Sequence, residues 1–175
     1  TYAEPKQQKT PSELHKSWGR KSIFVTDLVS QEWCEKQLDF NLRVNEGRQT
    51  ETVSMSAGKE RHTEVEMEVH SVIPVEVTSR EDVLGLRLLN LRTSAQQIAL
   101  EGIGREIPVF GFISGIFVTG VVDELFLGDD GKLELKELKT RSKPYLPSEA
   151  QMRGTRLQLC IYKRLWDNLV GWESC

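Results

Sequence analysis

Residues 106 to 140 narrow most sharply what this chain can become. EIPVFGFI and GIFVTGVVDELFL are β-rich, a Gly128-Asp129-Asp130-Gly131 turn follows, and KLELKELKT returns beyond it. Asp-Gly between alternating runs is a hairpin signal, so three successive strands are predicted. Helical patterns stand on either side. Ser79-Arg80-Glu81-Asp82 has the form of a capping box with Asp in place of Glu or Gln, and it opens a helix that Gly102 or Gly104 would end. Leucines at 84, 86, 88, 89 and 91 surround that helix, which predicts that it is largely buried. After the two prolines of SKPYLPSE, QMRGTRLQLCIYKRLWDNLV reads as a helix with Leu157, Ile161, Leu165 and Leu169 as its apolar stripe.

Upstream the pattern is more mixed. Residues 1 to 22 are polar, contain Pro5 and Pro11, and read as a flexible arm. In SIFVTDLVSQEWCEKQLDFNL, Thr26 or Ser30 caps a short helix that turns Trp33, Leu38 and Phe40 inward. In GKERHTEVEMEVHSVIPVEV, valines and glutamates alternate as in a half-buried strand, yet Gly58, His62, Glu66 and His70 recur every four residues. We read a helix from about residue 58 to 68, running into a strand that ends near Val77. The order helix, strand, helix, three strands, helix predicts an α/β (α+β) domain over residues 23 to 175, with a mixed central sheet flanked by helices.

Composition excludes several classes. Hydrophobic content of 38% and charged content of 28% are those of an ordinary globular chain. No apolar run reaches the length of about eighteen residues that a membrane-spanning helix needs. Cys34, Cys160 and Cys175 are odd in number and far apart, which argues against a disulfide scaffold and points to a reducing compartment. The net charge of −3 does not advertise nucleic-acid binding, but nine Lys or Arg stand against three Asp or Glu between Lys132 and Arg164. An acidic centre beside a basic strip suits a cation and then phosphates.

Asp123 falls in an apolar strand, where a carboxylate needs water, a partner or a metal. The returning strand carries two overlapping triplets, Glu134-Leu135-Lys136 and Glu137-Leu138-Lys139. A hairpin can join Asp123, one Glu and one Lys, a set suited to Mg2+-assisted phosphodiester hydrolysis; the same residues equally suit surface salt bridges. Strand parity sets Leu133, Leu135, Glu137 and Lys139 on one face and Glu134 and Lys136 on the other, so the second triplet is the better site candidate.

Taken together these elements resemble the PD-(D/E)xK nuclease superfamily, its RecB-like branch, and within that the exonuclease V family. GKERHTEVE is similar to the branch's G-x-x-x-H-x-x-x-E helix, GVVDEL to its G-x-x-D strand, ELKTR to its E-x-K-T-R strand and LQLCIYK to its Q-x-x-x-Y helix. The resemblance implies Mg2+ or Mn2+ on His62, Asp123, Glu137 and the Leu138 carbonyl, and Asp123, Glu137 and Lys139 as the catalytic set. Glu66 would support the site, while Arg141, Gln158 and Tyr162 would meet DNA. VTDLVSQEWCE matches the segment that supplies the first cysteine of a [4Fe-4S] cluster in exonuclease V proteins, here Cys34, whereas the family's other three cluster cysteines have no counterpart before Cys175. The expected function is a single-stranded DNA exonuclease of DNA repair, an intracellular monomer in nucleus or mitochondrion. The alternatives are an inactive nuclease-like domain that binds DNA or protein, and a Cas4-type iron-sulfur nuclease.

Overall fold

The computed structural model describes residues 18–20, 22–44, 56, 60–64, 67, 74–139 and 145–171. Its elements run β1 (Ile23–Phe24), α1 (Val25–Ser30), α2 (Glu35–Val44), α3 (Arg80–Glu101), β2 (Ile103–Ile113), β3 (Ile116–Leu127), β4 (Leu133–Lys136) and α4 (Glu149–Leu169). The mixed sheet flanked by helices is as the pattern predicts.

The sheet is organised around β3. A two-residue turn, Ser114 at φ 50° and Gly115 at φ 77°, closes the β2–β3 hairpin at Ile113–Ile116. Positive φ at both turn positions gives the twist that antiparallel neighbours need. On its other side β3 has two shorter partners: β1 lies parallel at Val118 and Thr119, and β4 lies antiparallel at Glu124 to Leu127. Residues 120–123 of that edge pair with no strand among the described residues. Asp123 stands at the end of this open stretch.

Side-chain parity assigns a helix to each face. Arg87 of α3 reaches Thr119, and Ile98 of α3 packs over Gly104. Tyr162 and Leu165 of α4 pack over Gly120 and Gly111, positions of the opposite parity in the same register. Ile23, Val25, Ile107, Val109, Val118, Val122, Leu125 and Leu165 are the most buried of the core. Gly120 has a specific reason to be glycine. A Cβ there would lie 2.6 Å from a Tyr162 ring carbon and 2.9 Å from Val25 Cγ2.

Local chemistry sets the helix ends. Ser79 accepts from Asp82 N–H while Asp82 accepts from Ser79 N–H, and Gly102 at φ 77° ends α3. Ser148 and Gln151 form the corresponding box on α4.

Several expectations are corrected. Neither Thr26 nor Ser30 caps the first helix; Phe24 stands at its N-cap and donates its N–H to Asp27. The chain then turns and continues as α2, which buries Leu38 and Leu42 four residues apart. Trp33 in the turn and Phe40 off that stripe are exposed. The α3 helix is not largely buried, because its leucines encircle it while the sheet covers one side, so Leu84, Leu88, Leu89 and Leu100 face outward. Residues 74–78 join no strand. On α4 the buried stripe is Gly154, Gln158, Tyr162, Leu165 and Trp166, whereas Leu157, Ile161 and Leu169 lie at its margin. Within the stretch expected as an arm, Trp18 donates to Asp39 at 2.8 Å and Arg20 donates to the Leu42 carbonyl at 2.9 Å.

Leu125→Ala, at a fully buried position, is expected to cost about 2–5 kcal/mol of unfolding free energy in urea titrations. Leu100→Ala, at an exposed one, should change it by no more than about 0.5 kcal/mol.

Candidate active site

The register that pairs Arg105 with Glu124 and Ile107 with Val122 sets Glu106 opposite Asp123. Carrying the β3–β4 register one residue beyond Glu124–Lys136 sets Glu137 on the other side of Asp123. Three carboxylates therefore form one row across neighbouring segments. Like charges directly opposite destabilise a sheet, so the row has to be compensated. Glu106 also adopts φ 48°, a region that side-chain-bearing residues seldom enter.

Compensation comes from three directions. Among helical residues 60–64, His62 holds Nδ1 2.9 Å from Glu106 Oε1 and 3.6 Å from Asp123 Oδ1. The backbone N–H of Leu138 donates to Asp123 Oδ2 at 2.5 Å. Lys139 Nζ donates to Glu137 Oε1 at 2.6 Å and to Gln158 Oε1 at 2.9 Å. Gln158 Nε2 in turn donates to Glu137 Oε1 at 2.8 Å and to the Tyr162 hydroxyl at 3.1 Å. One atom stays unanswered: Glu137 Oε2 is buried with no hydrogen-bond partner.

The electrostatics follow from this crowding. Burial pushes the carboxyls of both Asp123 and Glu137 above the usual range, and repulsion from Glu106 and Asp123 respectively adds to it. The Leu138 N–H, His62 and Lys139 pull Asp123 back without cancelling the rise. Burial alone would lower His62, but its bond to Glu106 and the charges of Asp123, Glu106 and Glu137 outweigh it and raise the imidazole. Burial pushes Tyr162 up to about 12, so its hydroxyl keeps its proton at neutral pH. The row thus draws protons to offset its charge, a task a divalent cation performs more fully.

The donor set fits such a cation. Ligand atoms of His62, Glu106 and Asp123 lie within 4.8 Å of one another. Carboxylate oxygens with one imidazole suit Mg2+ or Mn2+. The unanswered Glu137 oxygen is a further hard oxygen donor, outside that trio. An iron-sulfur cluster does not find its ligands in the same way. Four thiolates, or a close variant, are required, and the described residues offer exposed Cys34 and, on α4, exposed Cys160. Cys160 lines an open groove.

The structure brings His62, Asp123, Glu137, Lys139, Gln158 and Tyr162 together, whereas Cys34 lies apart at the start of α2. Glu66 and Arg141 lie outside the described residues, as does Cys175. The two E-x-K triplets separate cleanly. Glu134 is exposed, and Lys136 pairs with Glu124 at 3.1 Å beside Arg105 at 2.9 Å. Burial would raise Glu124, but these two cations hold it below the usual range. Lys139 belongs to the carboxylate row. Glu106 went unrecognised in the sequence. Its signal was the hairpin register, which places an acid at the head of EIPVFGFI against Asp123.

A family model described as "Exonuclease V - a 5' deoxyribonuclease" matches residues 10–134, a stretch that holds Cys34, His62, Glu106 and Asp123. The chain is also similar to the exonuclease V of Danio rerio, at 36% identity over 156 residues, which is 88% of this chain and 40% of that protein. It therefore spans less than half the length of that relative. With a family model covering well over half its residues, this chain belongs to the exonuclease V family.

Proposed function

We propose that this chain is the catalytic core of a divalent-metal-dependent exodeoxyribonuclease acting on single-stranded DNA in DNA repair or genome maintenance. Attack from the 5′ end follows the family's description. The observation that carries the reading is the carboxylate row of Glu106, Asp123 and Glu137, met by His62 on one side and Lys139 on the other.

His62, Asp123, Glu137 and the Leu138 carbonyl would hold Mg2+ or Mn2+, with Glu106 as an additional oxygen donor. The bound cation supplies charge that polarises a phosphate and acidifies water. Lys139, with its ammonium fixed by Glu137 and Gln158, orients the attacking water and steadies negative charge on the phosphate. Gln158, held between Lys139, Glu137 and Tyr162, keeps that ammonium from swinging away. Glu66 and Arg141 would support the site and meet the DNA strand, while Gln158 and Tyr162, both buried, would act on it through Glu137 and Lys139. Cys34 would give one thiolate to a [4Fe-4S] cluster whose other ligands come from elsewhere; no step above uses it. The protein would act as a monomer in nucleus or mitochondrion. No described helix is long and apolar enough to cross a membrane. The rival reading, an inactive binding domain, has no use for three facing carboxylates.

Lys139→Ala should lower Mg2+-dependent cleavage of a single-stranded oligonucleotide by about 100-fold or more, while Lys136→Ala, three residues away, stays within about twofold of wild type. Equal rates for both variants would refute the assignment.

Asp123→Asn tests the electrostatics. The Asp123 carboxyl is raised in the fold, so its ionised form opposes folding above the folded value and the penalty disappears below the unfolded one. Without metal, the variant should melt higher than wild type at pH 7, with the gain fading as pH falls to about 4. With Mg2+ at about 100 times its Kd, wild type should gain about 2.7 kcal/mol and the variant little.

A further inference from the structure

Beside the carboxylate row lies a cavity of about 350 Å³, with Phe24, Thr26, Arg87, Asn90, Glu106 and Thr119 in its walls. The size is within the range of small-molecule pockets. Glu106 borders both the cavity and the row.

Arg87 is the unusual member. It projects from α3 onto the sheet, is half-buried, and donates to the Thr119 hydroxyl at 3.2 Å. Thr119 is itself 3% exposed. A guanidinium carries five N–H donors, and a neutral hydroxyl answers few of them. Among the described residues no carboxylate makes an ion pair with Arg87. Holding a cation half out of water without an anion costs free energy, and a planar fork of this kind matches a phosphate. Asn90 and Thr26 add neutral hydrogen-bonding groups to the same walls.

The lining also has an apolar part. Phe24 is 47% exposed and Val121 43% exposed, although both border a cavity in the fold. Exposed aromatic faces beside a cation are how single strands are held without sequence preference: a base stacks and its phosphate meets the charge. Thr119 and Asp123 share one face of β3 four residues apart, so the hydroxyl that Arg87 meets belongs to a residue roughly 13 Å along the strand from Asp123. One face of β3 thus has a cation-seeking end and an anion-seeking end.

We propose that this cavity is a nucleotide subsite. It takes one residue of the DNA strand to one side of the cleaved bond, with the phosphate on Arg87 and the base against Phe24. The inference rests on the nuclease reading and assigns the side from which substrate lies across β3.

The test measures binding of a fluorescent single-stranded oligonucleotide in EDTA over a salt series, then steady-state cleavage in Mg2+. Arg87→Gln should weaken binding about tenfold or more. It should also flatten the slope of log K against log salt by about 0.7, the loss of one phosphate contact on a single strand. KM should rise more than kcat falls. Arg87→Lys keeps the charge and should retain the slope while losing part of the affinity, which separates a phosphate contact from a folding defect. Phe24→Ala should weaken binding by about 1–3 kcal/mol, or about 5- to 150-fold, without altering the slope. Unchanged slope and KM in Arg87→Gln, with wild type cleaving normally, would overturn the subsite and leave the nuclease reading intact. Absence of both binding and cleavage in wild type would overturn both.

Discussion

Asp123 stands between two other carboxylates, Glu106 across β2 and Glu137 beyond β4, and the structure around it is arranged to tolerate that repulsion. Each acid has a different counterweight: a histidine for Glu106, a backbone N–H for Asp123, and a lysine with a glutamine for Glu137. The split edge of β3 makes room for this. Because β1 covers only its beginning and β4 only its end, residues 120–123 stay open, and Leu138 and α4 can approach there. Had a full-length strand paired along that edge, the Leu138 N–H would be held in a ladder rather than turned to a carboxylate.

Helix α4 serves the site as well as the core. Its buried stripe is only partly apolar: Leu165 and Trp166 close the interior, while Gln158 and Tyr162 carry polar groups into the row. This depends on Gly120, since any side chain there would strike the Tyr162 ring. Loss of that close approach would displace Tyr162, then Gln158, and with it the partner that fixes Lys139. The glycine and the aspartate three residues on are thus parts of one device, one admitting the helix and the other facing what it carries.

Much of this could be read from residues alone. The hairpins, the Ser79 and Gly102 ends of α3, the helical character around His62 and the division of the two E-x-K triplets all rest on local chemistry, and local chemistry is written in order along the chain. What escaped was relational. Glu106 is an unremarkable acid until the register sets it against Asp123, and register depends on a two-residue turn eight residues away. The face buried by α4 was misjudged because Gln158 and Tyr162 are inside, where Gln158 bonds both Tyr162 and Glu137, whereas leucine spacing reports only apolar packing. The leucines of α3 misled in the opposite sense. Encircling a helix, they suggest burial on all sides, but a single sheet can cover only one.

The role proposed for the carboxylate row is to hold a divalent cation. Calorimetric titration of Mn2+ into the metal-free chain tests it directly. The account predicts one class of site in wild type, abolished by Asp123→Ala and weakened by about tenfold or more in Glu106→Gln. Binding that is absent from wild type, or equally tight in both variants, would contradict it.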